Sequence, residues 1–374
     1  MSASPTRRSV LQFCHGYDGP FLDCARQYAA LFEGTDCQVT TVFLTGKKDP
    51  VVAASCSSAE VIFLEESSAD IRGLKLKAIR KLRQIASERS FSLCIAHRSK
   101  PTYIACLATD LPVIGVHHAF GDFARAGRKL FAHLFRQRLQ LLAVSDAVRD
   151  DIRRCLPGWP PERIQTLYNR IDVQALCSIQ VSTEEARKIL KLPKDAWVVG
   201  NVGRLHPDKD QTTLLKGFAQ AMPALPHNSL LVILGTGRLE AQLQNLAKEL
   251  GIADQVIFMG QVPDARRYFK AFNVFALTSD HEPFGMVLLE AMAAGNMLIC
   301  SDCGGGPEVV GANGELFELG DAAALATALK KCATINDQQV LTMREQMQER
   351  LLSIFSDEAA KRRFWSLPNM SNYR

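Results

Sequence analysis

The chain has no long apolar run, no low-complexity segment and only a modest net charge of +5. A helix that spans a membrane needs about 18 or more consecutive apolar residues, and no such run is present, so we expect none. The apolar run at residues 10–14 is too short and too polar for the core of a secretion signal. It predicts a buried strand instead. The 47% hydrophobic and 22% charged content of the 374 residues is ordinary for a globular enzyme.

Cysteine is plentiful, but its pattern is not that of a disulfide or metal framework. The eleven cysteines are odd in number and scattered through apolar runs, as reduced core cysteines of a cytoplasmic protein are. One Cys-x-x-Cys pair occurs, at Cys300 and Cys303. Because it has neither a second pair nor nearby histidines, it is a weak signal for a metal or redox site. The simpler interpretation is a strand that runs into a loop.

Charge is unevenly distributed along the chain. Residues 1–180 carry 24 basic and 17 acidic side chains, whereas the remainder carries 20 and 22. A basic first half indicates an anionic partner for that half. Nucleic acid is the weaker candidate, because the chain has no platform of interleaved aromatic residues.

Short apolar runs alternate with helical patterns through most of the sequence. They predict strands at residues 10–14, 39–44, 61–64, 93–96, 113–116, 141–144, 198–202, 230–234, 256–259, 274–277 and 297–300. Buried strands separated by helices form parallel sheets that are covered on both faces. About eleven strands are many for one such sheet, so we predict an α/β protein of two Rossmann-like domains, residues 1–180 and 181–355.

Two glutamates, Glu282 and Glu290, flank a predicted helix start. Pro283 disfavours helix at the residue before it, and Gly285 permits a tight turn, so the helix is predicted over residues 286–294. The unpaired N–H groups at a helix start form an anion site. A carboxylate on either side of a bound phosphate can accept hydrogen bonds from sugar hydroxyls. The pattern therefore indicates a nucleotide-sugar site.

Two cations and two glycine-rich turns accompany this element. Arg204 and Lys209 follow a predicted strand, and a guanidinium fork together with a Lys point charge suits a diphosphate. The alternative is a surface turn with solvated charges. Gly235-Thr-Gly237 and the run 304–308 (Gly-Gly-Gly-Pro-Glu) also follow predicted strands, where ligands of open α/β sheets bind. The order of these elements favours the binding site.

This series resembles the family 4 glycosyltransferases, which are retaining enzymes of the GT-B fold. The resemblance rests on Gly-Arg-Leu-x-x-x-Lys-Asp, Gly-x-Gly, Glu-x7-Glu with Pro-Phe-Gly inside it, and Gly-Gly-x-x-Glu. It implies two Rossmann-like domains with parallel sheets facing across a cleft, and a C-terminal helix at about 356–374 that returns to the N-terminal domain. It also implies hexosyltransferase activity on a nucleoside diphosphate sugar, with UDP as the expected nucleotide and with no metal or other cofactor.

The family motifs imply roles for individual residues. Arg204 and Lys209 would grip the donor diphosphate, and Glu282 would face the transferred sugar. His117, or alternatively His118, resembles a strand-end histidine near the reacting sugar, although such a histidine can also be purely structural. These four, with His117 as the histidine, are the expected catalytic residues. The expected donor contacts are Gly16, Gly19, Asn169, Gly203, Gly235, Gly237, Phe284, Gly285, Met286, Val287 and, at the ribose, Glu290.

The sequence departs from the family pattern at one notable position. Arg170 replaces a glycine that is usual in the signature Tyr168-Asn-Arg-Ile-Asp172. Its side chain is expected to alter that loop, or to reach toward an acceptor or a phosphate.

Two basic helical patterns remain for the acceptor, at residues 72–86 and 124–140. Such helices lie on an anionic membrane or meet a phosphorylated acceptor, unless they are core-facing helices with a solvated basic face. We expect a glycolipid acceptor such as lipopolysaccharide core, and a cytoplasmic enzyme peripheral to the inner membrane. A small soluble acceptor is the alternative. An epimerase or an inactive sensor of the same fold is the alternative to a transferase.

Overall fold

The computed structural model describes residues 8–19, 21–368 and 370–373. Within these ranges the chain divides into two compact units. Unit 1 comprises the described residues up to Tyr168 together with those from Asp357 onward, and unit 2 comprises Asn169–Ser356. No helix of the described ranges combines the length and the apolarity that crossing a membrane requires.

Unit 1 is built on a seven-stranded sheet in which every strand pair is parallel. Its strands are β1 (Arg8–Cys14), β2 (Cys37–Phe43), β3 (Glu60–Phe63), β4 (Phe91–His97), β5 (Val113–His117), β6 (Leu139–Ala143) and β7 (Ile164–Thr166). Their spatial order is β3-β2-β1-β4-β5-β6-β7. The helices that connect them are α1 (Phe21–Ala30), α2 (Pro50–Ala54), α3 (Leu76–Ser87), α4 (Ser99–Ala108), α5 (Ala126–Phe135) and α6 (Asp146–Cys155).

Unit 2 repeats this plan with a six-stranded parallel sheet. Its helices are α7 (Val173–Ile179), α8 (Thr183–Ile189), α9 (Gln211–Ala221), α10 (Glu240–Glu249), α11 (Met286–Ala293), α12 (Gly306–Val310), α13 (Ala322–Ala333) and α14 (Asp337–Ile354). Its strands are β8 (Trp197–Val202), β9 (Ser229–Leu234), β10 (Val256–Gly260), β11 (Val274–Leu277), β12 (Met297–Ser301) and β13 (Glu315–Phe317). Their spatial order is β10-β9-β8-β11-β12-β13. The predicted α/β architecture of two Rossmann-like sheets is confirmed.

The border between the units falls after Tyr168, whereas the sequence places it near residue 180. The physical reason is that α7, which precedes residue 180, packs on α11 of unit 2. The last helix, α15 (Asp357–Ser366), lies in unit 1. Its buried Phe364 packs edge-on against Phe32, with the ring centroids 5.6 Å apart. Asn369 and Arg374 of the predicted C-terminal segment lie outside the described residues.

The strand order of both sheets reverses between two central strands. In unit 1 the reversal lies between β1 and β4, and in unit 2 it lies between β8 and β11. Neighbouring parallel strands on either side of a reversal send their following loops to opposite faces, which opens a crevice at their carboxyl ends. The motifs singled out in the sequence begin in these loops, with Gly16 after β1, Arg204 after β8 and Glu282 after β11.

Candidate active site

The loop after β8 carries two cations that differ in exposure. The loop ends in a short 3-10 turn, Pro207–Lys209, and the Asp210 carboxylate then accepts a hydrogen bond from the Thr213 N–H to cap α9. The Arg204 side chain is 74% exposed, and its guanidinium lies 3.4 Å from the Asp208 carboxylate. The Lys209 side chain is only 19% exposed. Lys209 is therefore held by the fold, whereas Arg204 extends into solvent.

Lys209 and Glu282 form an ion pair that joins the loops after β8 and β11. The Lys209 Nζ lies 2.7 Å from Glu282 Oε2, and the Glu282 side chain is 14% exposed. The same Nζ lies 3.4 Å from the Ser279 hydroxyl, and the Thr278 hydroxyl donates to the Lys209 carbonyl at 2.8 Å. The structure thus brings together the residue predicted to hold the diphosphate and the residue predicted to face the sugar.

Helix α11 begins at Met286, directly after Gly285, as the Pro-Phe-Gly sequence predicts. Gly285 has φ of +98°, which a residue with a side chain adopts only under strain. Among the described residues no side chain caps this helix start, so its first N–H groups can serve an anion. Phe284 is buried and packs edge-on against Phe355. Only the backbone of Phe284 therefore suits the predicted donor contact.

The glycines of the Gly235-Thr-Gly237 turn have a packing role. A Cβ at Gly235 would overlap the carbonyl oxygen of Gly203, and a Cβ at Gly237 would overlap that of Leu205. The loops after β8 and β9 can therefore approach each other only because these positions lack side chains. Gly304 has the same function beside Glu282, whose carbonyl oxygen a Cβ there would overlap.

The Cys-x-x-Cys pair lies beside this site but offers no reactive thiolate. Burial raises the pKa of the Cys300 thiol far above its ordinary value, and burial is also the main cause that raises the pKa of Cys303. The Cys303 thiol donates to the Asp280 carbonyl at 2.8 Å. In the part of the chain that the structure describes, no three His, Cys, Asp or Glu side chains are grouped so that they could hold a metal ion.

The remaining predicted residues outside this loop system lie in the turn after β1, at the end of β5 and at the start of unit 2. Gly16 lies beside Thr45, whose N–H donates to the His15 carbonyl at 2.9 Å. Gly19 has φ of +58° and ends the described part of that turn. Asn169 is half-buried. Gly16, Gly19 and His117 belong to unit 1, and all other predicted site residues belong to unit 2.

His117 ends β5 and is buried against an acid. Its Nδ1 lies 2.7 Å from Asp122 Oδ2, and Asp122 also pairs with Arg128 at 3.0 Å. Burial acts to raise the pKa of Asp122, but the hydrogen bond with His117 and the charges of Arg128 and Arg98 outweigh it, so the pKa is lowered. Because Nδ1 is engaged, Nε2 is the nitrogen of His117 that remains for a ligand.

His118 faces a different environment. Its ring stacks on His97 with centroids 5.7 Å apart, and it lines a cavity of about 290 Å³ together with His15 and Arg98. Burial, followed by the charges of His117 and Arg98, lowers the pKa of His118 to about 4. His118 is therefore neutral near pH 7. Both histidines line cavities at the carboxyl end of the sheet, and both remain candidates for the reacting centre.

The structure buries Arg170 and pairs part of the basic pattern at residues 72–86 with an acid. The Arg170 side chain is 1% exposed and lies inside the protein. Helix α3 begins only at Leu76, and its Lys77 and Lys81 lie 3.1 and 2.7 Å from the carboxylate of fully buried Glu66. These two lysines bind the helix to its own unit. The alternative of a core-facing helix with a solvated basic face therefore describes them better than a binding surface does.

Sequence reasoning did not single out three polar residues of these sites. They are Asp208, which contacts Arg204, Ser279, which contacts Lys209, and Asp122, which orients His117. Two had a signal in the sequence, since Asp208 lies between the two cations and Asp122 follows His117 by five positions. Ser279 had none, because only the pairing of β8 with β11 brings it to Lys209.

The comparisons with known proteins match both halves of the chain to glycosyltransferases. Residues 26–175 match the family model described as Glycosyltransferase Family 4, and residues 182–351 match the one described as Glycosyl transferases group 1. The lipopolysaccharide core biosynthesis glycosyltransferase LpsE of Rhizobium meliloti (strain 1021) is 34% identical over 176 residues, which cover 46% of this chain and 50% of LpsE.

A second relative, the D-inositol 3-phosphate glycosyltransferase of Corynebacterium kroppenstedtii, is 31% identical over 191 residues, or 48% of this chain and 42% of that protein. The chain thus spans about half the length of these curated relatives. Anabaena HepE, solved in complex with UDP and glucose, superimposes with a TM-score of 0.74 over 94% of this chain and 97% of HepE, at 21% identity. The chain therefore carries a Glycosyltransferase Family 4 domain over residues 26–175 and a Glycosyl transferases group 1 domain over residues 182–351, and it has the GT-B fold.

Proposed function

We propose that the protein transfers a sugar from a nucleoside diphosphate sugar, with UDP as the nucleotide, to a glycolipid acceptor with retention of the anomeric configuration. The observation that carries this proposal is the convergence of Arg204, Lys209, Glu282 and the start of α11 at the strand reversal of unit 2. Cations and a helix N-terminus suit a diphosphate, and a carboxylate suits sugar hydroxyls.

The Lys209–Glu282 pair suggests how the donor binds. A diphosphate oxygen takes over the Lys209 ammonium, and a sugar hydroxyl donates to the carboxylate of Glu282. Each charged group exchanges one partner for another, so neither is left buried and unpaired. Arg204, which is exposed, closes onto the diphosphate from the solvent side. As the bond to the leaving phosphate breaks, these cations and the N-terminus of α11 stabilise the charge that develops on it.

For the transfer itself we propose a front-face displacement. The bond between the anomeric carbon and the phosphate oxygen breaks while the bond to the acceptor oxygen forms on the same face of the sugar. The acceptor proton passes to an oxygen of the departing phosphate, so no protein nucleophile is needed. A product with inverted anomeric configuration in an NMR spectrum taken early in the reaction would contradict this step.

The donor assignment is tested with Arg204→Ala and Lys209→Ala. Each removes a charge that acts on the leaving group, so kcat/KM for the nucleotide sugar should fall by about 100-fold or more. The assay is release of UDP or another nucleotide, with the melting temperature as a check of folding. Lys188→Ala, which removes an exposed lysine of α8, is the matched control. Wild-type kcat/KM in both site variants would refute the assignment.

For the donor we also propose that no metal ion is needed, because Arg204, Lys209 and the start of α11 supply the positive charge. Dialysis against EDTA should then leave the rate of transfer unchanged. A rate that is lost on dialysis and restored by Mg²⁺ or Mn²⁺ would refute this part of the proposal.

A surface of unit 1 that is both apolar and basic supports the glycolipid acceptor. Four leucines in the segments that begin α3 and form α5 have large exposed fractions: Leu74 66%, Leu76 61%, Leu130 63% and Leu134 70%. Single exposed leucines are ordinary, but four among the cations Arg72, Lys129 and Arg136 are what an anionic membrane surface binds. We propose that this surface rests on the inner leaflet.

Vesicle flotation tests the membrane contact. Wild-type protein should float with vesicles that contain phosphatidylglycerol, and the double variant Leu130→Ser/Leu134→Ser should lose most of this binding. The control is Leu341→Ser/Leu352→Ser, which changes two leucines of α14 that are about half exposed. Equal flotation of the two double variants would contradict the proposal.

A small soluble acceptor is the second candidate, and the relative named D-inositol 3-phosphate glycosyltransferase favours it. The two classes are separated by incubating the enzyme and labelled donor with a total lipid extract or with water-soluble alcohols and sugars. Label that partitions into organic solvent supports the glycolipid. Label that stays in the aqueous phase, on a new compound, supports the soluble acceptor.

A further inference from the structure

A cavity of about 580 Å³ opens in unit 1 where the segment before α3 meets α4 and α5. This volume is that of a small-molecule site. Five cationic residues line it: Arg72, Lys75, Lys100, Arg125 and Arg128. None of the described residues that line the cavity is an Asp or a Glu. The described lining therefore carries five cationic side chains and no acidic one.

Only one of these five cations has an acidic partner among the described residues. Arg128 pairs with Asp122 at 3.0 Å, and Asp122 also binds His117, which itself lines the cavity. The other four, Arg72, Lys75, Lys100 and Arg125, form no ion pair within the described ranges. Arg72, Lys100 and Arg125 are exposed and Lys75 is half-buried, and such a group of like charges around one cavity attracts an anion.

Lys75 combines a strained backbone with an ammonium group that is held in place at the cavity. Its φ of +56° places a residue with a side chain in the left-handed region, a strained conformation that persists mainly at functional positions. Its Nζ donates to the Gly73 carbonyl at 2.6 Å and lies 4.8 Å from the centre of the Tyr103 ring. Burial, with the nearby charges of Lys100 and Arg128, lowers the pKa of Lys75. The ammonium is thus held in place beside like charges.

We infer that this cavity binds a phosphate group of the acceptor, with Lys75, Lys100, Arg125 and Arg128 around it. Guanidinium forks and ammonium groups together match the several oxygens and the double charge of a phosphomonoester better than they match a single carboxylate. Calling the ligand the acceptor rests on the proposed function. The anion site itself rests only on the residues of unit 1.

The aromatic wall of the cavity indicates what carries the phosphate. The Tyr103 and Phe131 rings lie 5.1 Å apart and both line the cavity. Such a wall packs against the apolar face of a sugar or cyclitol ring. The phosphate therefore belongs to a ring-bearing headgroup, which reaches the enzyme either as a free small molecule or attached to a lipid.

Calorimetric titration of the full chain tests the site, with UDP at saturation so that the donor cations of unit 2 are occupied. The probes are inorganic phosphate and D-inositol 3-phosphate, with unphosphorylated inositol as the blank. Lys75→Gln and Arg125→Gln should each weaken binding of the phosphorylated probes about tenfold or more, since each loses one charge-assisted contact. Arg80 lies in helix α3, which begins directly after Lys75, but outside the cavity lining, so Arg80→Gln should bind as wild type does.

A structural role for Lys75 is separated from binding by Lys75→Gly. Glycine adopts the left-handed backbone without strain, so this variant should keep or raise the melting temperature while it loses phosphate affinity. A Lys75→Gly protein that binds phosphate as tightly as wild type would overturn the inference, and so would wild-type affinity in both glutamine variants.

Two experiments distinguish a soluble phosphorylated acceptor from a phosphorylated lipid headgroup. Tight binding of D-inositol 3-phosphate in solution supports a soluble acceptor. Weak binding of it, combined with flotation on vesicles of phosphatidylinositol phosphate that Lys75→Gln abolishes, supports a lipid headgroup. Failure of wild-type protein to bind any phosphate probe in either experiment would refute the pocket. Failure to bind UDP would instead refute the donor assignment, because the two groups of cations belong to different units.

Discussion

At the scale of single residues, the central feature is the contact between Lys209 and Glu282. The sequence motifs name both residues, but as separate contacts to the diphosphate and to the sugar of a donor. Their contact spans 73 positions of the chain and depends on β8 lying beside β11 in the sheet. Strand order is a property of the whole unit, so no local pattern contains it. Because the pair is partly buried, the attraction between its charges also contributes to the stability of unit 2.

This link predicts a thermodynamic coupling between the two side chains. Lys209→Met or Glu282→Gln alone should destabilise unit 2, because each leaves a partly buried partner unpaired. The double variant should lower the free energy of unfolding by less than the two single variants do in sum. We expect a coupling free energy of about 1 kcal/mol. Urea denaturation of the four proteins measures it.

The control cycle uses Lys194 and Glu184, which pair at the same 2.7 Å but are 80% and 71% exposed. Solvent screens that pair, so its coupling should stay below about 0.5 kcal/mol. If the two cycles gave the same coupling, burial would not be what makes the Lys209–Glu282 pair matter.

His118 predicts how stability depends on pH. Its pKa is lowered to about 4 in the folded protein, chiefly by burial, from the ordinary value of 6.5. The unfolded chain therefore binds more protons between these two values, and stability falls as pH falls through that window. Between pH 7 and pH 5 the loss from this residue is roughly 2 kcal/mol.

Melting temperatures at pH 7 and pH 5 check this prediction. His118→Gln cannot titrate in this range, so its decrease between the two pH values should be smaller than that of wild type by about 4 °C. An equal decrease in the two proteins would show that His118 does not carry the pH dependence.

At the scale of elements, local sequence patterns were a good guide to the strands. All eleven predicted strands are present, and α11 begins at Met286 as Pro283 and Gly285 indicate. The two strands that the patterns missed, β7 and β13, have three residues each and lie at the sheet edges. A run so short, with one exposed side, has no apolar pattern that separates it from a loop.

The basic helix α3 shows where such patterns fail. Its spacing correctly indicated a buried face, and Ala78, Ile79 and Leu82 are buried. The sequence could not tell which lysines form an ion pair, because that depends on Glu66, a buried acid from the loop after β3. The apolar spacing of a helix therefore predicts its core-facing side better than its charges predict a binding surface.

The Gly-x-Gly turn gives a prediction at this scale. Gly235→Ala should destabilise unit 2, since its Cβ would overlap the Gly203 carbonyl and the backbone φ is +137°. Gly251→Ala is the matched control, because that residue has φ of +70° but no atom within 4 Å of the added Cβ. The difference between the two variants measures the close approach of the loops together with the greater backbone strain at φ of +137°.

We expect Gly235→Ala to cost about 1–3 kcal/mol more than Gly251→Ala in the free energy of unfolding, as overpacking typically does. It should also weaken nucleotide binding, since the loop after β8 carries Arg204 and Lys209. Urea denaturation and UDP titration measure both effects. Equal costs for the two variants would mean that the loops can separate without consequence.

At the scale of the whole molecule, alternation of strands and helices was enough to predict two Rossmann-like units. The position of the border was not predictable to the residue, because α7 precedes the predicted border at residue 180 and yet packs in unit 2. Local composition marks where a chain is polar. It does not mark which core the neighbouring apolar residues join.

The division into units leads to a prediction about fragments. Every predicted contact to the nucleotide sugar except Gly16, Gly19 and His117 lies in unit 2, which is one continuous segment with its own buried core. Residues 169–356 expressed alone should therefore fold and bind UDP. Residues 1–168 alone lack α15, whose Phe364 covers Phe32, and so expose an apolar face. We expect this second fragment to bind the dye ANS and to melt without a sharp transition, and a fusion that restores residues 357–374 to correct both. If residues 1–168 melted as sharply as the fusion, α15 would not be part of the core of unit 1.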